Sequence, residues 1–196
     1  MKSKKKKTIS GFPSVEQLEV ELKREKYKRR YNTVLRSTIY TLITVAAIAI
    51  LVATLWLPVL QVYGSSMTPT LQDGEIIFTV KTSKFEPGDV VAFYYNNKIL
   101  VKRVIASSGQ WLDIDKDGTV YINEKELDEP YVTDKTLGDC DIDLPYQVPD
   151  GRIFVMGDHR STSIDSRTKA IGCVAQEQIV GKIVFRIWPL NRMGGI

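Results

Sequence analysis

A single histidine, His159, serves the whole 196-residue chain. No zinc site built on several histidines can form, and any Ser-His-Asp triad has to use that one residue. In "GDHRSTSIDSR" it is surrounded by hydroxyls and carboxylates, yet one histidine in a polar loop is more often a hydrogen-bonded turn residue than a base. Cysteine is nearly as scarce. Cys140 and Cys173 are the two, and their spacing demands no disulfide, although an oxidising compartment would permit one. Sustained repeats and low-complexity tracts are missing too.

Charge is absent from Ser37 through Gln72, and within that window "IYTLITVAAIAILVATLWLPVL" (39–60) is apolar almost throughout. At ~1.5 Å per helical residue it spans roughly the ~30 Å hydrocarbon layer of a bilayer, and soluble core helices rarely run so long without a charge. A cleaved export signal has an apolar region of only ~7 to 15 residues followed by a small-x-small site. The run predicts an uncleaved transmembrane anchor over 37–60. Residues 1–36 carry 12 Lys or Arg against 4 Glu, a net of +8, and the remainder a net of −4. Such a basic arm stays cytoplasmic, which places the C-terminal part outside. "MKSKKKK" beside a span reads as topological retention and attraction to the lipid bilayer, not as a nucleic-acid tail. Pro13, Ser14 and Gln17 have the pattern of a helix start and predict a short juxtamembrane helix.

Beyond the anchor the pattern changes to short alternating segments between turn signals: 75–81, 89–95, 99–107, 119–125, 152–157 and 179–188. Asn96-Asn97-Lys98 predicts a hairpin and Asp117-Gly118 another. The expected fold class is mainly β, an antiparallel extracytoplasmic domain behind one transmembrane helix.

Two segments have competing chemistries. Asp113, Asp115, Asp117, Gly118 and Glu124 fit a calcium-loop spacing, but "QWLDI" and "TVYIN" alternate like strands where an EF-hand needs helices, so a plain hairpin is expected. In "ILVKRVIAS" Lys102 shares a strand face with Leu100, Val104 and Ala106 while Arg103 points the other way with Val101 and Ile105. A lysine on an apolar face is desolvated, its pKa falls from ~10.4, and the neutral amine can take a proton from a serine. The plain alternative is a lysine whose stem is covered and whose amine reaches water.

Taken together, "GSSMTPTLQDGE", "PGDVVAF", "LVKRVIA", "MGDHRSTSIDSR" and "FRIWPLNRMGG" resemble, in order, the boxes of the bacterial type I signal peptidases in their short Gram-positive form, over nearly all of Val62 to Gly195. The resemblance implies a membrane-anchored serine endopeptidase that removes signal peptides from exported preproteins after small-x-small sites, with no metal and no cofactor. It makes Ser66 the nucleophile and Lys102 its general base. Ser163 would hydrogen-bond the lysine amine, and Asp165 with Arg167 would form the ion pair holding the Ser163 loop. Val62, Met67, Leu71, Ala92, Leu100 and Val101 would line the substrate pockets. A catalytic β domain would comprise 61–109 and 151–196, with a smaller β subdomain inserted at 110–150.

The match has three departures. His159 stands where the family has Asn. Gly64 stands where some members carry a serine that is the second oxyanion donor. "ASSGQ" replaces the usual turn after the lysine strand. Tethering places Ser66 within ~20 Å of the outer membrane surface, since it lies six residues past Leu60. A sortase-like transpeptidase using His159, Cys173 and Arg186, and a non-enzymatic anchored β-rich binding domain, are the alternatives.

Overall fold

The computed structural model describes residue 13 and residues 15–56 and 58–196, with backbone only at 53–56. The lysine run and the Ser14 cap fall outside the described residues. The chain divides into two units, residues 1–52 and 53–196.

Helix α1 runs from Val15 to Trp56 without interruption, roughly 63 Å at the usual rise. The juxtamembrane helix and the span expected as separate pieces are one helix, because no Gly or Pro lies between Val15 and Trp56. Thr33, Thr38, Thr41 and Thr44 each donate their hydroxyl to the carbonyl four residues back, so these polar groups are satisfied within the helix, as an apolar solvent requires. Its Val15–Val52 portion is long and apolar enough to cross a membrane. The helix stops at Trp56, four residues before the expected end of the anchor. Pro58 has no N–H to continue it, and the next residues turn extended.

The second unit contains β1 (Val59–Gln61), β2 (Ile76–Val80), β3 (Val90–Tyr95), β4 (Lys98–Ala106), β5 (Trp111–Ile114), β6 (Val120–Ile122), β7 (Lys125–Glu126), β8 (Tyr146–Gln147), β9 (Arg152–Met156), β10 (Val174–Ala175), β11 (Ile179–Trp188) and β12 (Gly194–Gly195). The larger sheet has the order β1-β2-β11-β3-β4-β9-β10, with β12 paired to β11, and the smaller β7-β6-β5-β8. Every pairing is antiparallel. Asn96 and Asn97 take positive φ of 44° and 60° between β3 and β4, the conformation a two-residue hairpin needs and asparagine tolerates.

The calcium-like segment is a hairpin of β5 and β6, in which the Asp115 carboxylate accepts the N–H groups of Asp117 and Thr119. Among the described residues no group of acidic, histidine or cysteine side chains is placed to hold a metal.

Both faces of the larger sheet are packed. Val62, Met67, Leu71, Ile77, Val90 and Ile183 form one buried cluster. Val91, Phe93, Val104, Ile153, Val155 and Val174 form another. A third joins Ile105 and Ala106 of β4 to Leu112, Ile114 and Val120 of the smaller sheet. β4 therefore meets all three, and the charged pair Lys102-Arg103 sits at the centre of the packing.

Candidate active site

Ser66 lies in the loop between β1 and β2, a loop closed by Val62 N–H to Glu75 O (2.8 Å) and Gly74 N–H to Val62 O (2.9 Å). Met67 and Leu71, 2% and 0% exposed, pin the turn into the core, and Thr68 donates both its N–H and its hydroxyl to Ser65 O. The sequence drives this arrangement through its two apolar anchors, which hold the turn down while Ser66, just ahead of them, stays partly exposed. Gly64 has φ +89° and gives its N–H to Asp73 Oδ1 at 2.7 Å, so that N–H is already engaged. The N–H of Ser66 makes no hydrogen bond among the described residues.

Lys102 is placed by β4. It stands directly across from Val91, whereas Arg103 stands across from Val90; opposed residues share a face, so the two side chains leave on opposite faces, as the alternation predicts. Lys102 is 4% exposed, and its Nζ donates to Ser66 Oγ at 2.7 Å. The amine is not in water. Burial lowers its pKa from 10.5 to about 8; the charges of Asp165 and Asp158 act against the shift, and that of Arg167 acts with it.

The loop from Gly157 to Arg167 closes the third side. A Cβ on Gly157 would run into the Ser163 hydroxyl and the Ser66 carbonyl, so the close approach of loop and nucleophile turn requires glycine here. His159 N–H donates to Ser66 O at 3.1 Å, and its Nδ1 faces Thr68 Oγ1 at 3.1 Å. Its ring is not bonded to the Ser66 hydroxyl or to any carboxylate. Ser163 Oγ donates to Asp165 Oδ2 at 2.6 Å, and no hydrogen bond joins Ser163 to Lys102. The direct contact the resemblance implied is replaced by one that points into the loop. Arg167 grips Asp165 in a fork, Nε to Oδ1 and an Nη to Oδ2, both 2.9 Å. Burial opposes ionisation of Asp165, but the Arg167 hydrogen bonds and charge outweigh it, with help from Ser163 and the Gly157 N–H, and hold the carboxyl below its usual range.

A cleft of about 590 Å³ opens beside the Ser66-Lys102 contact. Val62, Met67, Leu100 and Val101 line it, as do Leu60, Tyr63, Gly64 and Lys98. Leu71 and Ala92, expected among the walls, are 0% exposed and lie beneath it. Leu71 serves as a core anchor, and the single methyl of Ala92, across from Val101, stops short of the surface.

Sequence reasoning missed the contacts that three arginines make. Arg103 forks onto Asp158 (2.8 and 2.7 Å) and reaches Gly88 O and Thr70 Oγ1. It also lies 3.9 Å from the centre of the Tyr131 ring. Arg160 forms a fully buried ion pair with Glu129 and donates to Gly157 O. Arg167 also reaches Leu137 O at 2.6 Å. Tyr131, Glu129 and Leu137 all come from the 110–150 segment. No local spacing announces such pairs; the one available signal was two arginines, Arg160 and Arg167, among small and acidic residues in a segment otherwise read as a loop.

Cys140 and Cys173 are free. His159, Cys173 and Arg186 do not converge: their side chains are bonded to Thr68, Tyr146 and Glu75 respectively. The transpeptidase reading therefore has no site.

The site thus brings a buried lysine amine onto a partly exposed serine, with the one histidine bonded to Thr68 instead of to the serine hydroxyl. The model of the family described as "Signal peptidase, peptidase S26" matches residues 35–188. Signal peptidase IB of Staphylococcus aureus is 40% identical over 148 residues, covering 65% of this chain and 76% of that protein. Signal peptidase I of Bacillus licheniformis is 35% identical over 185 residues, covering 86% of this chain and 96% of that protein. A crystal structure of a signal peptidase I from Enterococcus faecalis is 29% identical, with a TM-score of 0.43 over 50% of this chain and 96% of that one. The chain belongs to the signal peptidase family, peptidase S26, and is a serine endopeptidase that removes signal peptides.

Proposed function

We propose that the protein cleaves exported preproteins through a dyad of Ser66 and Lys102, the 2.7 Å contact between a partly exposed hydroxyl and a buried amine being the observation that carries this. With Lys102 neutral, Ser66 Oγ–H donates to Nζ instead of accepting from it. Oγ attacks the scissile carbonyl carbon as its proton passes to Nζ, and the negative charge moves to the carbonyl oxygen. The free Ser66 N–H stabilises that oxygen; Gly64 cannot do so with its N–H held by Asp73. On collapse the C–N bond breaks and the lysine ammonium returns its proton to the departing amine. A water then repeats the sequence on the acyl-enzyme.

Asp165 and Arg167 keep the loop rigid, and Ser163 acts on the site through Asp165 and through its contact at Gly157. Val62, Met67, Leu100 and Val101 form the apolar part of the substrate cleft and take small side chains of a small-x-small site. The basic arm 1–36, which includes the N-terminal part of α1, stays in the cytoplasm, the apolar remainder of α1 crosses the bilayer, and the catalytic domain (61–109 with 151–196) and the inserted subdomain (110–150) face outward.

The test uses the full chain in detergent and a purified preprotein with a small-x-small site, in the presence of a chelator. Mature protein is released by the wild type, and Ser66→Ala and Lys102→Arg are each nearly inactive. Complete chelator sensitivity, or substantial turnover by Lys102→Arg, overturns the dyad.

A further inference from the structure

Residues 110–150 hold twelve of the chain's 23 acidic residues against three lysines and no arginine, a net of −9, while the rest of the chain is +13. On the smaller sheet that charge is set among aromatic rings. Along β5, Trp111 and Asp113 face outward while Leu112 and Ile114 face the core. Asp113 lies directly across from Tyr121 of β6, so both stand on the outer face. With Glu124 and Pro145 they wall a second cavity of about 580 Å³, as large as the catalytic cleft. Trp111 is 48% exposed there, uncommon for so large an apolar side chain. The Tyr121 phenol is pushed up by desolvation and by the carboxylates of Asp115, Glu126 and Asp113, a sign of negative potential at this face. No lysine or arginine lines the cavity; of the segment's three lysines, Lys135 is paired to Glu126 at 3.6 Å, Lys116 lies on the turn between β5 and β6, and Lys125 begins β7.

We propose that this outer face, between Trp111, Asp113, Tyr121 and Glu124, binds a lysine- or arginine-rich extended segment of the exported polypeptide downstream of its cleavage site. The chemistry selects the occupant. An apolar partner would bury Asp113 and Glu124 without compensation, and an anion would be repelled. A metal ion has no cluster to hold it among the described residues, so the cation is organic. Lysine and arginine side chains answer all parts of the site: the charge pairs with carboxylates, the face of Trp111 or Tyr121 attracts the cation, and the stem covers the ring. The small sheet lies in the same unit as Ser66 and Lys102, and ten to fifteen extended residues, at ~3.3 Å each, reach around a domain of this size. The identity of the polypeptide rests on the peptidase reading; the binding chemistry does not.

Two measurements test this on the full chain in detergent. In the first, Ser66→Ala protein is titrated with a labelled lysine-rich dodecapeptide and with a glutamate-rich one of equal length. The lysine-rich peptide binds and is weakened by salt, and Trp111→Ala or the shape-preserving pair Asp113→Asn/Glu124→Gln raises its Kd about tenfold. In the second, active enzyme is given two preproteins that differ only in whether the early mature region is lysine-rich or neutral. The basic preprotein has the lower KM, the same substitutions remove the advantage, and kcat and cleavage of the neutral preprotein stay unchanged. Equal binding of both peptides, or an unchanged Kd in both variants, overturns the proposal. If the wild type cleaves neither preprotein, the peptidase reading fails, and the titration still decides the docking site.

Discussion

Glu129 and Arg160, thirty-one residues apart, form an ion pair whose two side chains are both 0% exposed. One partner comes from the segment between the lysine strand and the catalytic loop, the other from that loop. Arg160 also donates to the carbonyl of Gly157, the residue packed against Ser66. The inserted segment is thus wired to the nucleophile through one guanidinium.

Glu129→Ala should therefore destabilise the domain by about 3–5 kcal/mol, the usual cost of leaving one partner of a buried pair alone. Glu129→Gln/Arg160→Met, which removes both charges at similar volume, should recover most of that loss. Urea unfolding of the single and double variants is the check, and equal stabilities for wild type and Glu129→Ala would contradict the role given to the pair.

The rate should rise with pH. Below about 8 the Lys102 amine is mostly protonated, and the fraction of neutral base grows about tenfold per pH unit until it levels off above that value. A kcat/KM profile on a peptide substrate should show one ascending limb with an apparent pKa near 8. A limb near 6.5, abolished by His159→Asn, would return the base to the histidine.

Lys102 should also cost stability. Its pKa is about 8 when folded against 10.5 for an exposed lysine, so at neutral pH folding forces a charged amine into an apolar site, at a cost on the order of 3 kcal/mol. Between about 8 and 10.5 the unfolded chain holds more protons than the folded one, so wild-type stability climbs with pH. Lys102→Met should be inactive yet more stable than wild type at pH 7, with the gap closing towards pH 10.5. Thermal unfolding at the two pH values measures this; a Met variant no more stable at pH 7 refutes it.

Gly157→Ala should reduce kcat by about 100-fold or more and destabilise the domain by about 1–3 kcal/mol, the usual cost of overpacking. The added methyl meets the Ser163 hydroxyl and the Ser66 carbonyl, and a displacement of about 1 Å at a reacting group has that effect. Single-turnover cleavage separates this from altered binding, and near-wild-type kcat would show that the turn gives way freely.

Most of the larger sheet was readable because its strands are long and rich in Val, Ile and Phe. β2, β3, β4, β9 and β11 fall within a residue or so of the expected segments. The two- and three-residue strands were not all readable. β1 lies inside the apolar run that also encodes the anchor, and Val59 and Leu60 are set apart from the helix by Pro58 and by pairing with β2. That Ser66 and Lys102 come together could be expected from ordered motifs, and the lysine's face from strand alternation. The direction of the Ser163 hydroxyl and the Glu129, Tyr131 and Leu137 contacts to the arginines could not, since they depend on how distant segments fold back. Leu71 and Ala92 were misplaced for a related reason: an apolar residue beside a cleft and one beneath it have the same sequence pattern.

The place of β11 sets an order of events. It lies between β2 and β3, so the hairpin that flanks Ser66 and the hairpin that carries Lys102 share no direct pairing and are bridged by a strand beginning at Ile179. A chain growing from its N-terminus has Ser66 and Lys102 well before it has the strand that bridges their two hairpins. The proposed dyad is therefore assembled only once the residues of β11 have emerged and paired with β2 and β3.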